Sequence, residues 1–410
     1  MRLLPGQFLF RAGDPGRSAY LVESGTVEIR VEDPSGVRMI AACGPGEFVG
    51  EMAIIDGGTR SAHAVAATEA VLYEIPAEQF ARRLAEADPI VRLSLGILLR
   101  RLRGMLGAEA GLDLPVRTDA VDLAAAALEE VRLERELAAA IRKGQLELHY
   151  QPIVDLPTGR LAGLEALVRW KHPTRGFLSP AVFVPIAEAS GLITELTRWA
   201  VAEVCRVMPD LAIAAAACPE ACAMPVVAVN VSGRDLGAAG FADEIEARLA
   251  EQGIDPRLLK LEITESTLMA DPEEAITVLK RLRAAGIGIA VDDFGTGYSS
   301  LAYLARLPFT TLKVDRSFVA GMSEPTGLRI VQTIIRLADQ LAVPVVAEGI
   351  ETAAQHAELV QLGCRYGQGW LFGRPQPLGA ALETVRTWGS RLRRIADADL
   401  EKAPPVALAG

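Results

Sequence analysis

The chain has 410 residues, half of them hydrophobic, with a formal net charge of −10. That length allows two or three domains at about 100–200 residues each. An acidic balance without clustered Lys and Arg argues against binding nucleic acid through a basic face. No apolar run reaches the roughly 18–20 residues of a spanning helix, so no membrane partner is expected. Pro5, Gly6 and Arg11 interrupt the N-terminus too early for a signal peptide, which points to a cytoplasmic protein. An anionic substrate stays compatible with the charge if bound cations reverse the local field. Of five cysteines, Cys218 and Cys222 are spaced as a pair but lack a second Cys or His pair, so reduced thiols are expected rather than zinc.

From Gly6 to Ile75, short apolar runs alternate with turn signals such as Gly13-Asp14-Pro15-Gly16, Asp33-Pro34-Ser35-Gly36 and Gly44-Pro45-Gly46. This spacing predicts an all-β barrel or roll. After Pro76 the apolar spacing turns helical, through Phe80, Leu84, Ile90 and Leu93 to Leu102. Inside the β region, Gly50-Glu51-Met52-Ala53 reads as one helical turn between strands, whose free N–H groups suit a phosphate. Arg60 could form a charge-assisted fork to the same phosphate, and Glu51 could accept from a ribose hydroxyl.

These residues resemble the cyclic-nucleotide-binding domain family over about Gly6 to Leu106, on the glycine pattern, the F-x-GE-x-A cassette and Arg60-Ser61-Ala62. The resemblance implies Gly50, Glu51, Met52, Ala53, Arg60 and Ser61 as the cyclic-nucleotide site. Glu51 would meet the ribose 2′-OH, and Arg60 and Ser61 the cyclic phosphate. Relatives preferring cGMP often carry threonine after the arginine, so Ser61 leans toward cAMP and leaves cGMP open. The leading helix usual in the family is expected to be shortened or absent. No helix-turn-helix follows, which disfavours the transcription-factor version.

Pro115 breaks the helical pattern, and Asp119 reads as the N-cap of a helix running to about Lys143. Its apolar stripe, Val121, Leu128, Val131, Leu137 and Ile141, fits either packing on the next domain or a dimeric, signal-carrying connector. The expected division is a nucleotide-binding domain at 1–107, a helical connector at 108–135, an enzyme domain at 136–394 and a disordered tail at 395–410.

From Leu146 the chain alternates strand and helix patterns, as in parallel α/β folds. Eight strand candidates in about 230 residues are enough for a barrel. Their exits carry Gln151, Glu165 with Arg169, Asn230, Glu262 with Glu265, Asp292 with Asp293, Lys313 with Asp315, Glu348 with Glu351, and Gln368. The apolar run Ile287, Ile289, Val291 ends in the adjacent acids Asp292 and Asp293. Alone, those two acids fit a divalent-cation site or a solvated acidic loop. Seven further strand ends bearing acids, amides or bases favour the cation site, and oxygen donors without His or Cys favour Mg²⁺ or Mn²⁺.

This set resembles the EAL phosphodiesterase family over about Leu133 to Gly379. The motifs are Gln151-Pro152-Ile153, Glu165-Ala166-Leu167-Val168-Arg169-Trp170, Asn230-Val231-Ser232, Leu261-Glu262-Ile263-Thr264-Glu265-Ser266, Asp292-Asp293-Phe294-Gly295, Leu312-Lys313-Val314-Asp315, Ala347-Glu348-Gly349 and Gln368-Gly369. The resemblance implies a TIM-like (β/α)8 barrel with an antiparallel first strand, which hydrolyses cyclic di-GMP to linear pGpG. Glu165, Asn230, Glu262 and Asp292 would hold one cation; Asp292, Asp293 and Glu348 a second, at roughly 3.5–4 Å. Lys313, with Glu351, would position or deprotonate the attacking water. Glu265 would anchor the loop to Ser300, Gln151 and Arg169 would grip the dinucleotide, and Gln368 would line the pocket. Trp370, where tyrosine is commoner, and the alanine-rich stretch Ala214–Met224 depart from the pattern without touching the chemistry. The resulting expectation is a homodimeric cyclic di-GMP phosphodiesterase controlled by cAMP or cGMP. The alternative is a catalytically silent EAL domain that binds cyclic di-GMP and relays it.

Overall fold

The computed structural model describes residues 1–390 apart from 34–35, 56–58, 86, 96, 99–117, 219–221, 265–271, 296–303 and 305. Glu265, most of the glycine-rich loop after Asp293, the first part of the connector and the expected tail lie outside the described residues. The chain divides into two units, Met1–Glu136 and Leu137–Gly410.

The first unit is built on eight strands: β1 (Arg2–Leu3), β2 (Phe8–Phe10), β3 (Ser18–Ser24), β4 (Val27–Asp33), β5 (Gly36–Cys43), β6 (Phe48–Val49), β7 (His63–Ala66) and β8 (Ala70–Pro76). They form two four-stranded antiparallel sheets, ordered β1-β8-β3-β6 and β2-β7-β4-β5. Alternation along β3 and β8 turns Val22, Ala70 and Leu72 into a core shared with Leu3, Val27, Val49, Ala64 and Ala66. Helix α1 (Glu51–Ile55) sits between β6 and β7, and α2 (Ala77–Ala85) starts directly after Pro76. This is the expected β-roll with helices following.

Helix α3 runs Thr118–Lys143 and crosses the division between the units. Asp119 therefore stands in its first turn rather than at its cap, a one-residue shift of the kind helix ends show. Arg92, nearly buried, forms an ion pair with Glu130 of this helix.

The second unit is a closed barrel of eight strands: β9 (Leu146–Asp155), β10 (Leu161–His172), β12 (Cys222–Val231), β13 (Leu259–Thr264), β14 (Gly288–Phe294), β15 (Thr311–Val314), β16 (Val345–Ala347) and β17 (Tyr366–Gln368). Two short strands, β11 (Gly176–Leu178) and β18 (Gln376–Pro377), flank β10 and β9. Strands β10 and β12 to β17 pair in parallel round the ring, whereas β9 closes it antiparallel to both β10 and β17. The period of two explains the strand sequences. On β13, Leu259, Leu261 and Ile263 face outward into a continuous core that includes Val204, Met208, Leu279 and Leu282, while Lys260 and Glu262 take the alternate, inward positions. The same alternation sends Glu165, Asp292 and Lys313 inward. No helix among the described residues is long and apolar enough to cross a membrane.

Candidate functional site

Strand register assembles the barrel site. Glu165 lies across from Gln151 on the antiparallel β9, Asn230 pairs with Glu262, and Thr264 pairs with Asp292. These positions bring four carboxylates onto one lysine. Lys313 Nζ donates to Glu262 Oε2 at 2.8 Å and Asp292 Oδ2 at 2.9 Å, and lies 2.7 Å from Glu348 Oε1 and 3.8 Å from Glu165 Oε1. The lysine side chain is 1% exposed. Burial opposes its charge, but the four acids outweigh it and hold its pKa well above the ordinary range.

One ammonium cannot compensate four acids. Burial, reinforced by neighbouring acids, pushes the Glu262 carboxyl well up and Glu348 to about 7. Glu165 goes the other way. Against burial, Lys313 and the amides of Gln368 and Asn230 hold its carboxyl below the usual range. Gln368 Nε2 donates to Glu165 Oε2 at 2.5 Å and to Gln151 Oε1 at 2.8 Å, and Asn230 Nδ2 donates to Glu165 Oε1 at 3.1 Å. Gln368 Oε1 is buried without a donor among the described residues.

Asp293 adds a fifth acid by a local distortion. The β14–β15 register shifts between Val291 and Phe294, and Asp293 takes a left-handed φ of 54° with its N–H on Asp292 Oδ1 at 2.9 Å. A bulge of this kind re-aims a side chain where a strand ends. Asp292, Asp293 and Glu348 each present an oxygen within 4.8 Å of the others. Burial and Asp292 raise the Asp293 carboxyl. An excess of buried negative charge lined with hard oxygen donors fits Mg²⁺ or Mn²⁺.

Arg169 is half-buried on β10, its Nη1 donating to Val168 O at 2.9 Å. Glu351 stands exposed and outside the Lys313 network; its backbone N–H donates to Gln355 Oε1 at 2.9 Å. Asp315, at the end of β15, caps the next helix by accepting from Ser317 N at 2.9 Å. Trp370, which from the sequence departs from the family pattern without touching the chemistry, stands beside the site. It is 53% exposed, and the Arg374 guanidinium lies 3.8 Å from its ring centroid. Its turn is pinned at the site, because Gln151 Nε2 donates to Gly373 O at 3.1 Å and Leu371 N to Ile350 O at 3.0 Å. The aromatic residue four positions before an arginine was the available signal.

The first unit holds a cavity of about 220 Å³ lined by Phe10, Cys43, Gly50, Glu51, Arg60 and Ser61, with Met52 and Ala53 in its wall. Arg60 is 5% exposed; its Nη1 donates to Gly50 O at 2.5 Å and its Nη2 to Ser18 O at 2.6 Å. Gly50 has φ +82°, and a Cβ there would come within 2.4 Å of Arg60 Nη1, so glycine is required. Arg60 Nε is buried without an acceptor among the described residues. Burial raises the Glu51 carboxyl while Arg60 pulls it down.

Comparison with known proteins agrees with both halves. The family profile of the EAL domain matches residues 134–375, and that of the cyclic nucleotide-binding domain matches residues 1–87. The chain is a member of the EAL family, with a cyclic nucleotide-binding domain at its N-terminal end. It is 45% identical over 263 residues to the cyclic di-GMP phosphodiesterase NbdA of Pseudomonas aeruginosa, spanning 64% of this chain and 33% of that protein. The chain thus spans about a third of the length of the curated relatives it matches. It is similar across 94% of its length, at 33% identity and a TM-score of 0.63, to the EAL enzyme Bd1971 with cAMP and cyclic di-GMP bound, covering 99% of that chain. It is also similar to the PaMucR phosphodiesterase in complex with cyclic di-GMP, at 41% identity and a TM-score of 0.56 over 61% of this chain and 99% of that one.

Proposed function

We propose that this chain hydrolyses cyclic di-GMP to linear pGpG with two Mg²⁺ or Mn²⁺ ions, and that cAMP or cGMP bound in the N-terminal domain controls the rate. The observation that carries the reading is the convergence of Glu165, Glu262, Asp292 and Glu348 on Lys313, with Asp293 beside them. Glu165, Asn230, Glu262 and Asp292 would hold one ion, and Asp292, Asp293 and Glu348 the other. When bound, the ions supply charge neutralisation at the phosphodiester and a water nucleophile of lowered pKa.

The chain's own residues do the rest. Gln368, tied to both Glu165 and Gln151, fixes the acid's orientation and offers its unpaired oxygen to the ligand. Arg169 and Gln151 bind the dinucleotide backbone. Lys313 positions the attacking water as an ammonium donor, and Glu351, exposed here, receives the released proton. Trp370, backed by Arg374, supplies a flat face on which a guanine stacks. In the N-terminal domain, Arg60 Nε and Ser61 take the cyclic phosphate and Glu51 the ribose hydroxyl.

The domain boundaries of this proposal are 1–107, 108–135 and 136–394, in a cytoplasmic homodimer whose connector carries the signal. A silent, cyclic di-GMP-binding module is the second reading. Against it stands the convergence of Glu165, Glu262, Asp292 and Glu348 on Lys313. Turnover of cyclic di-GMP with Mg²⁺, measured without effector and with cAMP and then cGMP, decides the matter. Conversion to pGpG with a rate that shifts on adding either nucleotide is expected. Binding without turnover would establish the silent module, and an unchanged rate would remove the control.

A further inference from the structure

The two turns that carry Asp293 and Glu348 meet on one short helix. Asp292 and Asp293 lie at the end of β14, Glu348 follows β16, and β15 runs between these strands in the barrel. Beyond β15 the chain enters the helix Arg316–Ala320, capped by Asp315. A glycine in each turn admits that helix. Gly349, next to Glu348, has φ +69°, and a Cβ there would come within 2.5 Å of Arg316 Cβ. Gly295, two residues past Asp293, has φ +94°, and a Cβ there would lie 3.2 Å from Phe318 Cε2 and 3.3 Å from Cζ. The backbone of both turns therefore rests directly on the helix.

Hydrogen bonds tie the Glu348 side as well. Gln355 Nε2 donates to Val319 O at 3.4 Å, while its Oε1 accepts from the N–H groups of Glu351 and Thr352 at 2.9 and 3.0 Å. On the other side, Asp293 needs support. Its φ of 54° is a conformation that residues other than glycine rarely adopt, and one that persists only where the surroundings hold it. Phe294 is buried in the core outside the barrel, and the Phe318 ring lies against Gly295 one residue further on. Without that ring, Gly295 is free to shift and Asp293 to relax away from Glu348. Phe318 itself has no ligand atom, so it acts only through the aim of Asp293.

We propose that the helix Arg316–Ala320 is a spacer between the two acid-bearing turns, and that Phe318 is a positioning residue for the cation held by Asp292, Asp293 and Glu348. The inference rests on the two-cation reading above. Glu165 and Glu262 are oriented instead by Gln368 and Lys313, so the other cation depends on Phe318 only through the shared Asp292.

Calorimetric titration of the full chain with Mn²⁺, without substrate, tests this. The wild type should bind two ions. Phe318→Leu stays apolar but lacks the atoms that reach Gly295, and it should weaken one ion by about tenfold to a hundredfold while the other changes little. In turnover it should raise the Mn²⁺ concentration needed for half the maximal rate, with most of kcat regained at saturation. Phe318→Met, close to leucine in volume but longer, should restore most of the affinity, which a packing role alone would not do. Should Phe318→Leu fail to fold, Gly295→Ala decides, because crowding the same contact from the other side should again weaken one ion alone. Equal weakening of both ions, unchanged affinity, or equal losses in the leucine and methionine variants would overturn the proposal and leave the two-cation reading in place. A wild type that binds fewer than two ions would remove that reading, and the proposal with it.

Discussion

The two candidate sites of this chain are electrostatic opposites. The N-terminal cavity offers a buried guanidinium whose Nη atoms are satisfied by the carbonyls of Gly50 and Ser18 and whose Nε is left over. The barrel offers one buried ammonium among four carboxylates, with a fifth alongside. A cavity carrying its own cation takes a phosphate directly and has no group to cleave it. A site with surplus buried acid repels a phosphate until cations reverse its field, and those same cations make hydrolysis possible. The difference separates a binding domain from an enzyme within one chain.

The largest effects should come from breaking the acidic site. Glu165→Ala removes an acid that both Asn230 and Gln368 orient, and should lower kcat by about a thousandfold or more. Circular dichroism should show the fold intact, and chelation of the wild type should match the loss until Mg²⁺ is restored. Near-normal turnover of the variant would break the assignment. Lys313→Met probes the same imbalance through stability. Leaving buried acids without their ammonium should cost about 3–5 kcal/mol in the cation-free chain, read by denaturant unfolding. Added Mg²⁺ should recover part of that loss, and no recovery would mean that the acids do not bind it. On the other side of the comparison, Arg60→Ala should weaken cAMP binding by about tenfold to a hundredfold while turnover without effector stays at the wild-type rate.

Much of this was legible along the chain because a strand writes its two faces at a period of two. LKLEIT and GIAVDDF show where an outward apolar row ends and inward polar groups begin. The F-x-GE-x-A cassette was equally local, and α1 forms where it predicts a helical turn. What escaped was produced by closure of the ring. No sequence distance hints that Glu165 and Glu348 share one lysine, and the antiparallel seat of β9 followed only from the family resemblance. Asp315 shows how little a single strand-end acid decides. An acid just past a strand serves a cation site or a helix cap equally well on paper, and Ser317 claims it as a cap.

Trp370 offers the smallest and most specific test of how the acidic site selects its ligand. A phosphodiester gripped by cations would be held whatever base it carries, so base recognition must come from outside the carboxylate cluster. The pinned turn from Gly369 to Gly373 presents Trp370 half-exposed, with Arg374 stacked on it. Stacking of a base on an aromatic ring contributes about 1–3 kcal/mol and tolerates any flat face. Trp370→Ala should therefore raise KM for cyclic di-GMP by about tenfold with little change in kcat, because it removes binding equal in ground and transition states. Trp370→Tyr should recover most of the affinity. A fall in kcat at unchanged KM would instead make the residue a support for the Gln151 and Gln368 amides, with the base held elsewhere.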